Sequence, residues 1–375
     1  MATGLAWHER LMWFDAGTFA GPMRAGGWVQ PGEASENPEA KRRIKNLLDA
    51  SDFSRHLTDI VPVAVTQADL LRVHTARHLA EVQVLSSGQG GQLGFSAFTG
   101  PGGYEIALLA AGATLAAAEA VLASRVQNAY ELVRPPGHHA GPAASMGFCI
   151  FKNIAVAVRA VQARHGLARV AIVDWDVHHG NGTQAVFYDD PAVLAISIHQ
   201  DGVFPQAAQA PFGAVVERGE GAGLGTTINV PLPAGSGTAA YRATFDRVVL
   251  PALHAFKPDM IFVACGLDAG NHDALGRMTL GPEDFRWMTA AIKVAAGALC
   301  GGRLVLSHEG GYHAPSAPFL ALPIFEELSG RASGVDNPVA IRMAGLPTSI
   351  LLPHQEAAID DARRAAQLLR QGSRA

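Results

Sequence analysis

Residues 169–182 read Arg-Val-Ala-Ile-Val-Asp-Trp-Asp-Val-His-His-Gly-Asn-Gly, an apolar run that ends in carboxylates and imidazoles. The apolar half is typical of a strand that is covered on both faces of a parallel sheet. Further runs of this kind are residues 129–133, 193–199, 260–265 and 303–307. Between the runs lie stretches with helical patterning, at residues 104–123, 153–165, 239–256 and 282–296. This alternation predicts an α/β fold with a mainly parallel central β-sheet and helices on both faces.

The chain shows no internal repeat and no long linker, so we expect a single domain over residues 1–375. Two stretches, residues 21–39 and 201–225, are rich in glycine, proline and polar residues and are predicted loops. Long loops in a compact domain usually serve a function. The first loop is a candidate for subunit contacts in a homo-oligomer or for shaping the mouth of a binding site.

The composition narrows the classes of function. The 375 residues carry a net charge of −4, which gives no basic surface for nucleic acid. Three cysteines without a CxxC pair are neither a disulfide framework nor a structural zinc site of thiolates. The longest apolar run, residues 106–122, is interrupted by Gly112 and Glu119, so it is predicted to be a buried helix rather than a membrane span. Because residues 1–17 do not resemble a secretory signal, we expect a cytoplasmic protein.

The chemically suggestive side chains follow the predicted strands. Ligands of open parallel sheets bind beyond the carboxyl ends of the strands. The segments at those ends are residues 134–141, 175–182, 200–206, 266–271 and 308–314. Nearly all side chains suited to catalysis or metal binding fall in these segments, so we predict the active site at this edge of the sheet.

A metal site is the first chemistry that these segments suggest. Asp174, Asp176 and His178 are spaced by two, so in an extended chain their side chains lie on one face. A carboxylate and an imidazole at this spacing can chelate a divalent metal, although a surface turn would show the same residue types. Asp268 follows the strand at 260–265 and could instead cap a helix. With Asp176 and His178 it completes an Asp2His set, and three protein ligands leave one position of a catalytic zinc ion open.

Two further motifs suit proton transfer and oxyanion stabilisation. Residues 135–141, Pro-Pro-Gly-His-His-Ala-Gly, place His138 and His139 side by side in a stiff loop, as a general base and a second group that stays charged. Residues 309–312, Glu-Gly-Gly-Tyr, allow the hydroxyl of Tyr312 to approach and donate to an oxyanion. An ordinary surface histidine pair and a helix end with a packing aromatic ring are the alternatives.

These motifs together resemble the histone deacetylase family of the arginase–deacetylase superfamily, especially its class II branch and the bacterial deacetylase-like amidohydrolases. The resemblance is carried by residues 134–140, 147–151, 174–184 and 309–312. It implies a zinc-dependent hydrolase that removes acetyl or other acyl groups from the ε-amino group of lysine or from related amines. One zinc ion per chain would then be held by Asp176, His178 and Asp268.

The resemblance also implies roles for the residues around the metal. His138 and His139 would form a catalytic dyad, in which His139 is favoured as the general base. Asp174 is the partner implied for His138, and Asn181 is the partner implied for His139. Tyr312 would polarise the scissile carbonyl. Since Tyr312 is present where weakly active relatives carry histidine, we expect full catalytic competence.

A narrow tunnel for a methylene chain is implied as well. Gly147 and Phe148 match one wall and Phe204 matches the opposite wall, although both rings would also suit a protein core. Leu275 falls on the rim position that helps to choose substrates. The rim departs from the family pattern, since residues 273–275 read Asp-Ala-Leu where many relatives carry Asp-Pro-Leu.

Three other functions remain as alternatives. An arginase-like hydrolase binds two manganese ions, but Gly180 and Gly270 stand where additional ligands would be needed. An acetylpolyamine amidohydrolase has the same chemistry, but its cationic substrate would favour an acidic rim where this chain has Leu275. A non-catalytic module that recognises acyl-lysine would be expected to have lost a metal ligand or Tyr312.

The other ligands and partners implied by the resemblance are small molecules and ions. Hydroxamates present two oxygens to an open metal position and are therefore expected inhibitors. A structural K+ or Na+ ion held by backbone oxygens near Asp174, His178 and Ser197 is compatible with the resemblance. Neither nucleic acid nor a membrane is expected as a partner.

Overall fold

The computed structural model of the chain describes residues 2–205, 213–343, 349–367 and Leu369. The strands within these ranges are β1 (Thr3–Ala6), β2 (Phe19–Ala20), β3 (Met23–Arg24), β4 (Leu57–Ile60), β5 (Gly91–Gly94), β6 (Ala97–Thr99), β7 (Asn128–Glu131), β8 (Val170–Asp174), β9 (Val193–Gln200), β10 (Thr227–Leu232), β11 (Met260–Cys265) and β12 (Leu304–His308). The α-helices are α1 (Glu39–Ala50), α2 (Gln67–Leu70), α3 (Ala76–Ser87), α4 (Gly103–Leu122), α5 (Asn153–His165), α6 (Asn181–Phe187), α7 (Thr238–Thr244), α8 (Leu250–Phe256), α9 (Pro282–Cys300), α10 (Ala317–Ser329), α11 (Pro338–Met343) and α12 (Pro353–Ala365).

Eight of these strands form one sheet, in the order β10-β9-β8-β11-β12-β7-β1-β4. Every neighbouring pair in it is parallel, so the carboxyl ends of all eight strands lie at one edge. The pairs β2-β3 and β5-β6 are short antiparallel ribbons outside this sheet. The predicted α/β fold with a parallel central sheet is confirmed.

Hydrophobic layers cover both faces of the sheet. Successive strand residues point to opposite faces. In β8, Val173 packs in the layer that includes residues of α1, α9 and α10, whereas Ile172 packs in the layer that includes α4 and α5. Because neither face of the central strands is left to water, these strands are continuous apolar runs in the sequence. Helix α4 is long and apolar enough to cross a membrane. However, 67% of its most apolar stretch of 18 residues is buried inside the protein, in agreement with the predicted buried helix.

The predicted strands are confirmed with small shifts at their ends, and three strands of the sheet were not predicted. β1 and β4 have only four residues each, too few for a clear periodicity. β10 contains Asn229 and Pro231, which are unusual in strands. Proline is tolerated there because β10 is the edge strand, where a missing N–H needs no ladder partner.

Some predicted helices and loops differ in detail. The helix predicted at 239–256 is interrupted between α7 and α8 by a π-helical turn, Phe245–Val249. Pro251 in α8 has no N–H for the carbonyl one turn earlier, which explains why the regular ladder changes here. The predicted loop 21–39 contains β3 and ends where α1 begins. Residues 206–212 of the second predicted loop lie outside the described residues.

Candidate active site

The carboxyl ends of β8 and β11 bring the three predicted metal ligands together. Asp176 and His178 lie just beyond β8, and Asp268 lies just beyond β11. Since β8 and β11 are paired neighbours, their side chains converge on one point. All three are buried, and their ligand atoms lie within 4.8 Å of one another.

The spacing and chemistry of this group fit a divalent metal ion such as zinc. Nδ1 of His178 lies 3.0 Å from Oδ1 of Asp176 and 3.1 Å from Oδ2 of Asp268. Two ligands of a tetrahedral zinc ion, with bonds of about 2.0–2.1 Å, are about 3.3 Å apart. Oδ2 of Asp268 is buried and has no hydrogen bond of normal geometry, although Nδ1 of His178 lies 3.1 Å from it. Burial and then the charge of Asp176 raise the pKa of Asp268, a repulsion that a bound dication would offset.

Backbone groups close to the carboxylates fix their orientation. The N–H of Val177 donates to Oδ1 of Asp268 at 2.9 Å, and the N–H of Gly310 donates to Oδ2 of Asp176 at 2.8 Å. A Cβ atom on Gly310 would lie 2.1 Å from Oδ2 of Asp268. The first glycine of Glu-Gly-Gly-Tyr is therefore required for the backbone to approach the ligand group.

The two predicted dyad histidines have different partners. Nδ1 of His138 lies 3.0 Å from Oδ2 of Asp174, and Nδ1 of His139 lies 2.6 Å from Oδ1 of Asn181. The centroids of the two imidazole rings are 3.9 Å apart. Because the amide oxygen of Asn181 accepts a hydrogen bond, Nδ1 of His139 carries the hydrogen and Nε2 keeps its lone pair.

The surroundings of the two rings also shift their pKa values in opposite directions. Burial disfavours the charged form of His138, but Asp176 and Asp174 outweigh burial and raise its pKa to about 9. Burial, followed by the charges of His138 and His178, lowers the pKa of His139 well below its usual value. These shifts favour the charged form of His138 and the neutral form of His139.

Glu309 holds the loop that carries the dyad. Its Oε2 accepts hydrogen bonds from the N–H groups of Gly137 at 2.7 Å and His138 at 3.0 Å. Glu309 follows β12 and Gly137 follows β7, and these two strands are neighbours in the sheet. No role of its own was predicted for Glu309, since nothing in its local motif indicates partners so far away in the chain.

A pocket of about 730 Å³ is lined by His139, His178 and Tyr312. The predicted tunnel residues line the same pocket: Gly147, Phe148, Phe204 and Leu275. The structure thus brings the predicted general base, one predicted metal ligand, the predicted oxyanion donor and the predicted tunnel residues into one cavity.

The wall at Gly147 and Phe148 has an unusual backbone. Their φ angles are +52° and +67°, and a Cβ atom on Gly147 would lie 2.4 Å from Cδ2 of His139. The N–H of Gly147 donates to the carbonyl of Phe95 at 2.9 Å, and that of Phe148 donates to the carbonyl of Ser96 at 2.7 Å. The turn of the β5-β6 ribbon therefore fixes this wall against the dyad.

Tyr312 faces the same pocket as the metal-ligand group. Its ring centroid lies 5.8 Å from that of Phe148 and 6.4 Å from that of His178. Burial, followed by the charges of Asp268 and Asp176, raises the pKa of the Tyr312 hydroxyl well above its usual value. The hydroxyl therefore stays protonated and can donate a hydrogen bond.

Part of the pocket mouth was not predicted from the sequence. Phe19, Met23 and Arg24 of the β2-β3 ribbon line it, as does Phe95, which stacks on Phe204 with 5.9 Å between ring centroids. Apart from the histidines, Arg24 is the one lining side chain with a formal charge among the described residues. The length and composition of the loop 21–39 were the only sequence signal for this part of the mouth.

A buried ion-pair cluster lies next to the site. Oε2 of Glu36 lies 2.8 Å from Nη2 of Arg134, and Oε1 lies 3.0 Å from Nζ of Lys41. Nζ of Lys41 lies 5.8 Å from the centroid of the Tyr312 ring. The cluster links the start of α1 to the segment that carries the dyad.

The fold and the site together define a parallel α/β protein with a candidate metal centre at the carboxyl edge of the sheet. A sequence model of the histone deacetylase domain matches residues 34–327. The chain belongs to the histone deacetylase family.

Relatives at several distances agree with this assignment. The chain is 49% identical over 340 residues to the histone deacetylase-like amidohydrolase of Pseudomonas aeruginosa, covering 90% of this chain and 88% of that protein. It is 33% identical over 336 residues to a probable deacetylase of Archaeoglobus fulgidus, covering 88% and 87%. It is 35% identical over 360 residues to the polyamine deacetylase HDAC10 of Homo sapiens, covering 91% of this chain and 50% of that protein.

A solved structure shows the same fold. The crystal structure of the HDA15 HD domain superposes with a TM-score of 0.84 at 31% sequence identity, covering 100% of this chain and 98% of that chain. The relatives named here are deacetylases and amidohydrolases, and the chain is accordingly a hydrolase.

Proposed function

We propose that the chain is a zinc-dependent deacetylase that hydrolyses the amide bond of an acylated amine, with ε-N-acyl-lysine as its substrate class. The observation that carries the proposal is the meeting of His139, His178 and Tyr312 in one largely apolar pocket, with the Asp-His-Asp group built around His178. A metal site, a neutral base and a protonated phenol are the three parts that amide hydrolysis by an activated water needs.

Asp176, His178 and Asp268 would hold one zinc ion, which when bound lowers the pKa of its water toward about 7 and polarises the substrate carbonyl. One ion per chain is proposed because Gly180 and Gly270 have no side chain to offer a second ion. In the described part of the chain, Asp176, His178 and Asp268 are also the one group of at least three His, Cys, Asp or Glu side chains close enough to share a metal. Both observations disfavour the dinuclear manganese alternative.

Proton transfer falls to the dyad. His139 accepts the proton of the attacking water at Nε2, because its Nδ1 is bonded to Asn181 and its ring is neutral. His138, held by Asp174, stays charged and stabilises negative charge at the reacting carbonyl. The hydroxyl of Tyr312 donates a hydrogen bond to the carbonyl oxygen as charge develops there. The water oxygen forms the new C–O bond, the C–N bond breaks, and His139 returns the proton to the leaving amine.

The pocket walls support a linear alkyl amine as the leaving group. Gly147, Phe148 and Phe204 offer apolar surface but no charge to a methylene chain such as that of lysine. An acetylpolyamine is the second candidate substrate, because the human relative is named a polyamine deacetylase. Leu275 and Arg24 at the mouth favour acyl-lysine, since one is apolar and the other is a cation that repels a second ammonium group.

The test is an assay of the purified enzyme, loaded with zinc, on acetyl-lysine peptides, acetylpolyamines and small acylamides. We expect turnover of acetyl-lysine, about one zinc ion per chain in the active protein, and inhibition by a long-chain aryl hydroxamate. Failure to cleave any acylated amine would contradict the proposed function. Two ions that are both needed for activity would favour the arginase-like alternative, and tight binding of acyl-lysine without turnover would favour the non-catalytic module.

Three secondary features belong to the same proposal. Cys149, Cys265 and Cys300 are buried free thiols, which supports a cytoplasmic location. Asp174 and Ser197 border a small cavity of about 10 Å³, which supports a structural K+ or Na+ ion near them. The loop 21–39 contributes to the pocket mouth, while its role in subunit contacts stays a prediction.

A further inference from the structure

Asp273 joins the rim of the pocket to the backbone of Tyr312. Its Oδ1 accepts a hydrogen bond from the N–H of Leu275 at 2.9 Å. Its Oδ2 accepts from the N–H of Tyr312 at 2.7 Å and from that of His313 at 3.2 Å. One carboxylate therefore bridges the loop after β11 and the turn after β12.

Both segments that Asp273 connects carry residues of the pocket. Leu275 and Ala274 line the mouth, and Tyr312 lines the same pocket. All three hydrogen bonds to Asp273 come from main-chain N–H groups, so the carboxylate fixes backbone positions. A carboxylate acceptor makes stronger hydrogen bonds than a neutral one, which suits it to hold several donors at once.

The turn before Tyr312 needs such a tether. Gly310 and Gly311 precede it. The backbone of Gly311 has a φ of +128°, a value that residues other than glycine rarely adopt. Glycine leaves the backbone free to rotate, so two glycines in a row do not fix the direction of the next residue. The N–H of Gly310 donates to Asp176 and its carbonyl accepts from Leu267, and the short bond from the N–H of Tyr312 to Asp273 adds a restraint beyond Gly311.

We propose that Asp273 is a positioning residue that holds the hydroxyl donor Tyr312 and the rim residue Leu275 as one unit. The proposal rests on the function proposed above for Tyr312 as oxyanion donor. Asp273 does not itself contact the reacting atoms. It sets where the phenol stands, and through Leu275 it sets the shape of the mouth.

The first test compares wild type, Asp273→Ala, Tyr312→Phe and the double variant in steady-state kinetics on an acetyl-lysine peptide. A misplacement of about 1 Å in a catalytic group can cost about 10²-fold in rate, so we expect kcat of Asp273→Ala to fall by ten- to a hundredfold. In the Tyr312→Phe background the same substitution should leave kcat unchanged, because the hydroxyl that it positions is already gone. The effect on KM through Leu275 should persist in both backgrounds.

Asp273→Asn gives a graded control. Asparagine keeps one acceptor oxygen, which can face either the Leu275 N–H or the Tyr312 and His313 pair, but not both sides. We therefore expect its kcat to lie between those of wild type and Asp273→Ala.

A matched variant separates positioning from general damage. Oδ2 of Asp284 accepts a hydrogen bond from the N–H of Gly281 at 2.8 Å, at the start of α9, and Asp284 does not line the pocket. Asp284→Ala therefore removes a comparable carboxylate with a backbone partner elsewhere in the chain. It should lower the melting temperature, while kcat stays as in wild type.

A readout independent of turnover follows the phenol itself. The chain has five tyrosines, so 3-fluorotyrosine labelling gives few ¹⁹F signals, and the one missing in Tyr312→Phe belongs to Tyr312. In Asp273→Ala this signal should shift or broaden, while the other signals stay in place. In Asp284→Ala the Tyr312 signal should not change.

Two results would overturn the proposal. One is a folded Asp273→Ala enzyme with wild-type kcat and an unchanged Tyr312 signal. The other is a loss of kcat that is as large in the Tyr312→Phe background as in wild type. Absence of any wild-type turnover would instead refute the proposed function, and the ¹⁹F comparison would still decide whether Asp273 positions Tyr312.

Discussion

Oδ1 of Asn181 lies 2.6 Å from Nδ1 of His139. The neighbouring ring, His138, has the carboxylate of Asp174 at the corresponding nitrogen. One buried histidine therefore has a neutral partner and the other an anionic one, although the two rings are in contact. A carboxylate favours the charged form of its histidine more than an amide does, so the two partners add to the opposite pKa shifts of His138 and His139.

Asn181→Asp should move the acid limb of the kcat/KM profile to higher pH. A carboxylate beside His139 favours the charged ring and raises its pKa, whereas the base must be neutral to accept a proton. The pH at which half of the activity is lost on acidification should therefore rise by about 1 pH unit or more. Asn229→Asp is the matched control, since Oδ1 of Asn229 lies 3.0 Å from Nε2 of His179, outside the pocket lining. An acid limb that stays in place in Asn181→Asp would contradict the assignment of His139 as base.

Tyr312→Phe should lower kcat by about 10²–10³, the usual cost of one lost oxyanion donor. Zinc content and hydroxamate affinity should be nearly unchanged, because the phenol is not a metal ligand. Tyr241→Phe is the control, since it removes a buried hydroxyl that does not line the pocket. His139→Ala should also lose turnover while it retains zinc, in contrast to Asp176→Ala, which should lose the metal. Full turnover in Tyr312→Phe would refute the role of Tyr312 as oxyanion donor.

The central strands and the meeting of Asp176, His178 and Asp268 could be predicted because both follow from local sequence patterns. Continuous apolar runs mark strands that are buried on both faces, and this pattern does not depend on their neighbours. Asp176 and His178 follow such a run directly, and Asp268 follows another. The pairing of β8 with β11 then brings the three side chains together, as the rule for parallel sheets predicts.

The rest of the site depends on contacts that no local pattern encodes. Arg24 and Phe95 reach the pocket mouth through ribbons whose position is set by tertiary packing. Glu309 binds a loop that lies far away in the chain. Asp273 acts through two segments that meet only in the folded protein. The edge strand β10 was missed because its proline is unfavourable anywhere except at an edge.

Gly310→Ala should weaken metal binding without unfolding the protein. The added Cβ would lie 2.1 Å from Oδ2 of Asp268 and 2.7 Å from Oδ2 of Asp176, so the two ligands must move apart or turn away. Perturbing the surroundings of metal ligands typically costs about 10–100-fold in affinity. Competition with a fluorescent zinc chelator measures this loss. Gly297→Ala in α9 is the control, since its Cβ meets nothing within 4 Å, and wild-type affinity in Gly310→Ala would contradict the crowding argument.

Arg24→Glu should shift substrate preference toward acetylpolyamines. Reversing the charge at the mouth replaces repulsion of a distal ammonium group by attraction, and we expect the kcat/KM ratio of acetylpolyamine to acetyl-lysine peptide to rise by about three- to tenfold. The gain should shrink at high salt because the site is open to solvent. Leu275→Glu should act in the same direction. Arg55→Glu, a charge reversal at a residue that does not line the pocket, should leave the ratio unchanged. An unaltered ratio in both mouth variants would remove charge from the selectivity argument.

Glu36→Gln should destabilise the fold by about 3–5 kcal/mol, because it leaves the buried charges of Arg134 and Lys41 without their shared partner. Urea denaturation near neutral pH measures the effect. Glu9→Gln is the control, since the Glu9 side chain is 53% exposed in its pair with Arg42. That change should stay within about 1 kcal/mol.

The same comparison of wild type with Glu36→Gln should report the titration of Glu36. Burial alone would raise its pKa, but Arg134 and Lys41 outweigh burial and lower the pKa from 4.5 to about 2. Because the pKa is lower in the folded state, the unfolded chain takes up the proton first as the pH falls. The stabilisation is therefore complete above about pH 4.5 and is lost as the pH falls toward about 2, with a total of about 3 kcal/mol. The difference between wild type and Glu36→Gln should shrink across this range, and a difference that stays constant down to pH 2 would show that the charge of Glu36 does not stabilise the fold.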